Sequence, residues 1–287
     1  MPSLKDVKTK IKGVKKTSQI TKAMNMVASA RLRSAQEKME NFRPYTSKFN
    51  EAMSNLSGGS NTSSFPLMEV RDIKNIELVV VTSDRGLCGS FNSNIIKTAM
   101  RKIAECDAKG IGVSLVCVGK KGLQLLKKTG KVRKQYTDVM SSFQMFNARE
   151  IATDVAENFL AGKVDKVELI YGEFKSVATQ RPAVKPFLPV QPVQGVETEK
   201  ISGEYIYEPS TEEIMDVLQP LYLNVMVYHS MLEVGASEHA ARMTAMDNAT
   251  NACKEIVDHL TIVYNKARQA SITAELMDIV GGAEALK

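Results

Sequence analysis

From Val7 onward the positions that recur at alternating steps of four and three are Val7, Ile11, Val14, Ser18, Thr21, Asn25, Ala28, Leu32, Ala35, Met39 and Phe42. All but Ser18, Thr21 and Asn25 are apolar, and the spacing is that of a helix presenting one stripe to a partner helix, as in a coiled-coil seam. Ile20, Met24 and Val27 open a second apolar strip on a neighbouring face, which predicts more than one packing partner. The same residues also fit an ordinary amphipathic helix lying on its own domain. Pro44 predicts a kink or an end to this helix, and residues 55–64 (NLSGGSNTSS) read as a flexible linker.

Near the C-terminus the alternation is sustained much further. It runs through Val225, Tyr228, Leu232, Gly235, His239, Arg242, Met246, Ala249, Cys253, Ile256, Leu260, Val263, Ala267, Ala270, Ala274 and Met277. Only Gly235, His239 and Arg242 interrupt its apolar character. With no proline after Pro220, the pattern predicts one helix to about Gly281, roughly 90 Å long at 1.5 Å per residue. Small residues at 249, 267, 270 and 274 permit close approach of a neighbour.

Between the two ends the period changes. Residues 76–82 (IELVVVT), 113–118 (VSLVCV) and 167–171 (VELIY) read as buried strands, 183–188 as an edge strand bounded by prolines, and 92–108 and 148–160 as helices. Alternating strands and helices predict a small α/β layer with a mainly parallel sheet, inserted between two helices that run antiparallel. The resulting division is a shaft helix over 1–56, a linker over 57–73, a central α/β domain over 74–209 and a second shaft helix over 210–287.

Charge changes the picture at one end only. Residues 1–50 hold twelve Lys or Arg against three Asp or Glu, so the first helix is strongly basic while the net charge of the whole chain is +6. A basic helix raises nucleic acid as a partner, but there is no Trp, few aromatic residues and no binding motif. An acidic protein partner or a solvated face fits better. No apolar stretch approaches the roughly 20 residues of a membrane span, and the lysine-rich start lacks the apolar core of a secretion signal. The expectation is a chain that stays in the compartment where it is made.

Candidate chemistry is sparse. The turn 83–92 (SDRGLCGSFN) lies where ligands gather in doubly wound sheets, and Cys88 sits in it between glycines. GLCGS matches neither a dinucleotide fingerprint nor a P-loop nor GxSxG, and every histidine is more than 130 residues away. A tight turn is the better reading than a nucleophile. His229, His239 and His259 lie ten and twenty residues apart, so no two share the helix face that a metal site needs. They are expected at surface or seam positions, and no CxxC spacing suggests zinc or disulfides.

Three stretches resemble the gamma subunit of the F-type ATP synthase. These are residues 11–33 (IKGVKKTSQITKAMNMVASARLR), 82–92 (TSDRGLCGSFN) and 264–276 (YNKARQASITAEL) with Gly282 and Ala283 beyond. The resemblance implies a long antiparallel two-helix coiled coil from both termini with an inserted Rossmann-like α/β domain. It implies a non-catalytic rotor in the bore of a hexamer of alpha and beta subunits, standing on the membrane c ring beside the epsilon subunit. ATP, ADP and Mg would be held by the beta subunits, with no cofactor on this chain. Contacts with the hexamer would fall on Lys22, Met24, Arg31, Arg33, Arg242, Arg268, Gln269, Thr273 and Glu275. Those with the c ring and epsilon would fall on Tyr205, Tyr207 and Glu208, the last two the stronger candidates.

The tip residues Ile272, Leu276, Ile279, Val280 and Leu286 would form an apolar bearing, because pairing from residue 4 reaches only to about residue 263 and leaves some twenty residues without a partner helix. Asp278 stands where many relatives have glutamate. Nothing matches the cysteine-bearing insertion of the chloroplast gamma subunit, and no transit sequence precedes the first helix, so the expected setting is the cytoplasmic face of a bacterial inner membrane. A static coiled-coil adaptor and a Cys88 hydrolase are the competing readings.

Overall fold

A computed structural model describes residues 3–59, 65–190 and 210–284 of the chain. The residues fall into two compact units: Met1–Ala28 with Met243–Lys287, and Ser29–Arg242.

The larger unit is built on a five-stranded sheet of order β3-β2-β1-β4-β5. Its strands are β1 (Asn75–Val81), β2 (Gly112–Val118), β3 (Val132–Tyr136), β4 (Lys166–Phe174) and β5 (Gln180–Leu188). The first four are parallel and β5 is an antiparallel edge. Val79 sits opposite Val116 on one side and Leu169 on the other, and Leu78 to Val81 are fully buried. A strand covered on both faces is apolar throughout, which is why IELVVV shows no alternation. The helices are α1 (Leu4–Gly59), α2 (Phe91–Ala108), α3 (Lys120–Leu126), α4 (Met145–Leu160) and α5 (Thr211–Glu284), of which α1 and α5 contribute to both units.

Several elements differ from the sequence expectation. Pro44 does not end α1, which continues to Gly59 and takes up the first half of the segment read as linker. Pro44 is solvent-exposed, so the carbonyl it leaves without a donor has access to water. Similarly, α5 carries Pro220 inside it, although its start at Thr211 falls within one residue of the boundary given to the second shaft helix. The strand β3 (VRKQY) and the short helix α3 have no counterpart in the sequence reading. As an edge strand with alternating polar residues, β3 lacks the apolar run that marks its neighbours. Its Arg133 reaches the fully buried Glu77 of β1, donating from Nε at 2.6 Å, while Ser114 and Asn158 donate to the same carboxylate.

Two glycines are fixed by close approach. A Cβ on Gly172 would stand 2.3 Å from the Phe91 ring, and one on Gly119, at φ 95°, would stand 2.1 Å from the Thr82 carbonyl oxygen. The first lets α2 press against β4, and the second lets the β2–α3 turn cross the end of β1.

Candidate functional site

In the smaller unit the start of α1 lies against the later part of α5. Thr21 Oγ1 and Thr250 Oγ1 are 2.7 Å apart, and Asn25 Nδ2 donates to the Met243 carbonyl at 3.1 Å. Moving back along α1 thus moves forward along α5, so the two run antiparallel. Val7, Ala28, Met246 and Cys253 are buried in the seam. Two of the three polar positions that interrupted the apolar stripe, Thr21 and Asn25, are thus hydrogen-bonded across it, a device that pins register more than it adds stability. In α5 from Met243 onward the buried or half-buried positions are Met243, Ala245, Met246, Ala249, Thr250, Cys253, Val257, Leu260, Val263, Tyr264, Ala267 and Ser271. Ile256, assigned to the seam from its spacing, is instead 45% exposed, and Val257 takes its place.

What the seam leaves outside is more informative. Ile20, Met26 and Val27 are more than half exposed on one flank of α1, with Lys22 exposed and Met24 half-buried beside them. Met26 was not singled out from sequence, although it follows Met24 by two. Beyond Ser271 every described position to Ala283 is exposed. Ile272, Leu276, Met277, Ile279 and Val280 therefore face solvent, Ile279 at 71%. At about 100° per residue they spread over roughly 160° of the helix circumference, far wider than the stripe one partner helix covers. Arg268, Gln269, Thr273 and Glu275 are exposed among them. Thr273 donates to the Gln269 carbonyl, and Ser271 to the Glu275 carboxylate, which organises that surface along the helix. Ala270 and Ala274 are exposed with the rest.

Within the larger unit α5 is fastened to the sheet by buried polar side chains. Arg242, 8% exposed, donates to the Gly86 carbonyl from Nε and Nη2 and to Glu238 from Nη2. Burial raises the Glu238 pKa, opposed by the Arg242 charge. His239 is pushed down to about 4 by burial first and then by Arg242, Arg31 and Arg85. One turn earlier, Glu233 accepts from the Phe174 backbone at 2.7 Å, with Arg43 Nη2 and His229 Nε2 each 3.6 Å from its other oxygen. Burial raises Glu233 and lowers His229 to about 4. Ser237 Oγ donates to the Gly172 carbonyl. Of the residues expected to meet partners, Arg242 is thus committed within the chain, Arg31 is exposed, and Arg33 is exposed and paired with Glu37. Tyr205, Tyr207 and Glu208 lie outside the described residues.

The turn after β1 is closed on itself. Ser83 N–H donates to Asn92 Oδ1, and Asn92 Nδ2 lies 3.2 Å from Cys88 Sγ. Cys88 is buried, and burial raises its thiol pKa, which disfavours the thiolate. Asp84 accepts from the backbone N–H groups of Lys120, Asp138 and Met140, so its carboxylate holds the loops over the carboxyl ends of the strands. Among the described residues no group of three or more His, Cys, Asp or Glu is placed to hold a metal ion, and no helix is long and apolar enough to cross a membrane.

A seam pinned by polar pairs, a sheathless apolar helix end and a helix bolted to an α/β layer agree with what comparison shows. The family model described as ATP synthase matches residues 3–286. The ATP synthase gamma chain of Desulfotalea psychrophila is 71% identical over the full length of both chains. The chain belongs to the ATP synthase gamma chain family. The gamma chain of Nitratidesulfovibrio vulgaris strain Hildenborough is 51% identical to this gamma chain, again over the full length of both. Among solved structures, the central stalk and c ring of the Tetrahymena thermophila mitochondrial ATP synthase includes a chain 27% identical to it. That match has a TM-score of 0.62 and covers 80% of this gamma chain and 99% of the other. A chain of the Euglena gracilis mitochondrial ATP synthase shares its fold at a TM-score of 0.69 and 20% identity, covering 99% of this gamma chain and 94% of that one.

Proposed function

We propose that this gamma chain couples rotation to catalysis through the exposed surfaces of its smaller unit. The gamma chain is the non-catalytic rotor of the central stalk of the ATP synthase. The observation that carries the coupling proposal is the end of α5, where five large apolar side chains, Ile272, Leu276, Met277, Ile279 and Val280, face solvent on a helix that has lost its partner. Such a surface is stable in water only when another protein sheathes it. The alpha and beta subunits form that sheath, meeting Arg268, Gln269, Thr273 and Glu275 there, and Lys22, Met24, Arg31 and Arg33 along α1. Arg242 acts through the Gly86 turn it grips. Tyr205, Tyr207 and Glu208 meet the c ring and the epsilon subunit. ATP, ADP and Mg are bound by the beta subunits.

The apolar flank of Ile20, Met26 and Val27 lies on one side of α1 only, so the surface offered to a surrounding ring differs with angle. A ligand moves a two-state site from 1:99 to 99:1 by binding one state about 5.5 kcal/mol better than the other. Full burial of one such side chain contributes about 1.5–3 kcal/mol, so two to four contacts made in one state and lost in the other suffice. Each angular position then selects a different conformation at each catalytic subunit. Torque passes either way, from proton flow to synthesis or from hydrolysis to pumping.

The central stalk belongs to a membrane-associated complex, and the reading places this chain, peripheral and carried by the c ring, at the cytoplasmic face of a bacterial inner membrane. The test is biochemical. The purified chain alone shows no nucleotide hydrolysis, and from cells it is recovered with alpha and beta subunits in a ratio of one to three to three. Recovery in a stable complex lacking any nucleotide-binding subunit contradicts the reading and favours the static adaptor.

A further inference from the structure

The larger unit carries a groove of about 780 Å³ that the seam and its flank do not involve. One wall is α4, which contributes Phe146, Arg149, Thr153, Ala156 and Leu160 at steps of three and four. The other is the beginning of α5, with Val217, Leu221 and Asn224 at the same steps, and Tyr45 of α1 also lines it. Ala152 and Ala156 keep the α4 side shallow. Single exposed apolar side chains are ordinary on a protein surface, but here Tyr45, Met145, Phe146, Leu160, Val217 and Leu221 are exposed and converge on one concavity, Phe146 and Val217 at 64%. Among the described residues nothing covers them.

Two ridges at helical spacing with small residues between them make a trough that accepts a third helix. The charges say which kind. Arg149 and Glu157 both line the groove, eight residues apart on α4 and so about 12 Å apart along it. Neither makes a side-chain hydrogen bond or an ion pair among the described residues. Nearby, by contrast, Asp154 is paired with both Arg133 and Lys134. An uncommitted cation and an uncommitted anion two turns apart define the complement: an acidic residue opposite Arg149 and a basic one opposite Glu157.

We infer that this groove docks a single amphipathic helix from another subunit of the assembled enzyme, with apolar side chains at i, i+3, i+4 and i+7 and an acidic and a basic residue about two turns apart. The inference rests on the chain's place in the stalk. The experiment places photoreactive benzoylphenylalanine at the exposed, groove-lining Thr153 in the purified complete enzyme, with Lys97 on α2 as control. Irradiation is expected to join position 153, and not position 97, to one segment of one partner subunit carrying that pattern. Arg149→Glu and Glu157→Lys, both changes at exposed positions, are each expected to cut the yield at least five-fold. Reversing the opposing charge on the partner is expected to restore it. Cross-links to lipid, to residues 191–209 of the same chain, to scattered segments or to nothing overturn the inference, as does a yield that neither charge reversal changes. Subunit stoichiometry on the same sample separates the two readings. Failure of the wild-type chain to assemble overturns both, and an intact assembly without the helix cross-link overturns the groove alone.

Discussion

Glu238 and Arg242 are four residues apart on α5, as are His229 and Glu233, and that spacing is visible in the sequence. Their burial is not, because the groups that complete each set are the Gly86 carbonyl, the Phe174 N–H and Arg43, brought together only by the fold. Removing one partner of such a pair leaves a buried charge uncompensated. Arg242→Ala is therefore expected to lower stability by about 3–5 kcal/mol, whereas Arg242→Met with Glu238→Leu loses much less. Urea unfolding of both variants checks this, and equal losses contradict it. The histidines give a pH dependence. With folded values near 4 against 6.5, the folded state declines protons that the unfolded state accepts, so their contribution is complete above pH 6.5 and is lost as pH falls toward 4. Each proton withheld lowers stability by about 1.4 kcal/mol per pH unit. Glu233 and Glu238, raised by burial, act with opposite sign by taking up protons in the folded state first. His229→Gln with His239→Gln should make stability fall less steeply, or rise, from pH 6.5 to pH 4.5. Identical slopes in variant and wild type contradict the assignment.

At the scale of elements, the two terminal helices and the buried strands were readable because each has one dominant period. The errors arise where two local signals conflict or none is strong. At residues 256 and 257 both side chains are apolar, so counting by fours and threes cannot choose between them; only packing against α1 does. Val257→Asp is expected to destabilise the chain by about 1–3 kcal/mol and Ile256→Asp to stay within about 0.5 kcal/mol. The reverse order in thermal or urea unfolding contradicts the observed register. Pro44 carried a strong stop signal, yet α1 runs through it. Neighbouring Phe42 packs edge-on to Tyr228 at 4.9 Å and Arg43 faces Glu233, so tertiary contacts hold a turn that local propensity disfavours. The groove along α4 escaped sequence reading because its two walls are some 70 residues apart.

For the whole molecule, the resemblance and the bottom-up pattern converge because the same physical feature underlies both: one helix outlasts its partner and keeps its apolar residues. Met24 is half-buried beside the exposed flank of α1, at the border between the seam and the surface offered to partners. If Met24 belongs to the proposed coupling surface, Met24→Lys places a cation in a contact that changes during turnover, at a desolvation cost that varies with angle. Assembly should remain near normal while fewer protons are pumped per ATP hydrolysed. Unchanged pumping per ATP in membrane vesicles contradicts that role. The most direct test of rotation fixes the alpha/beta hexamer of the purified complex to a surface, attaches a visible marker to an exposed site of the α/β layer such as Lys97, and supplies ATP. The account predicts unidirectional turning with three equivalent dwell positions per revolution. ATP hydrolysis at the normal rate with a stationary marker contradicts it.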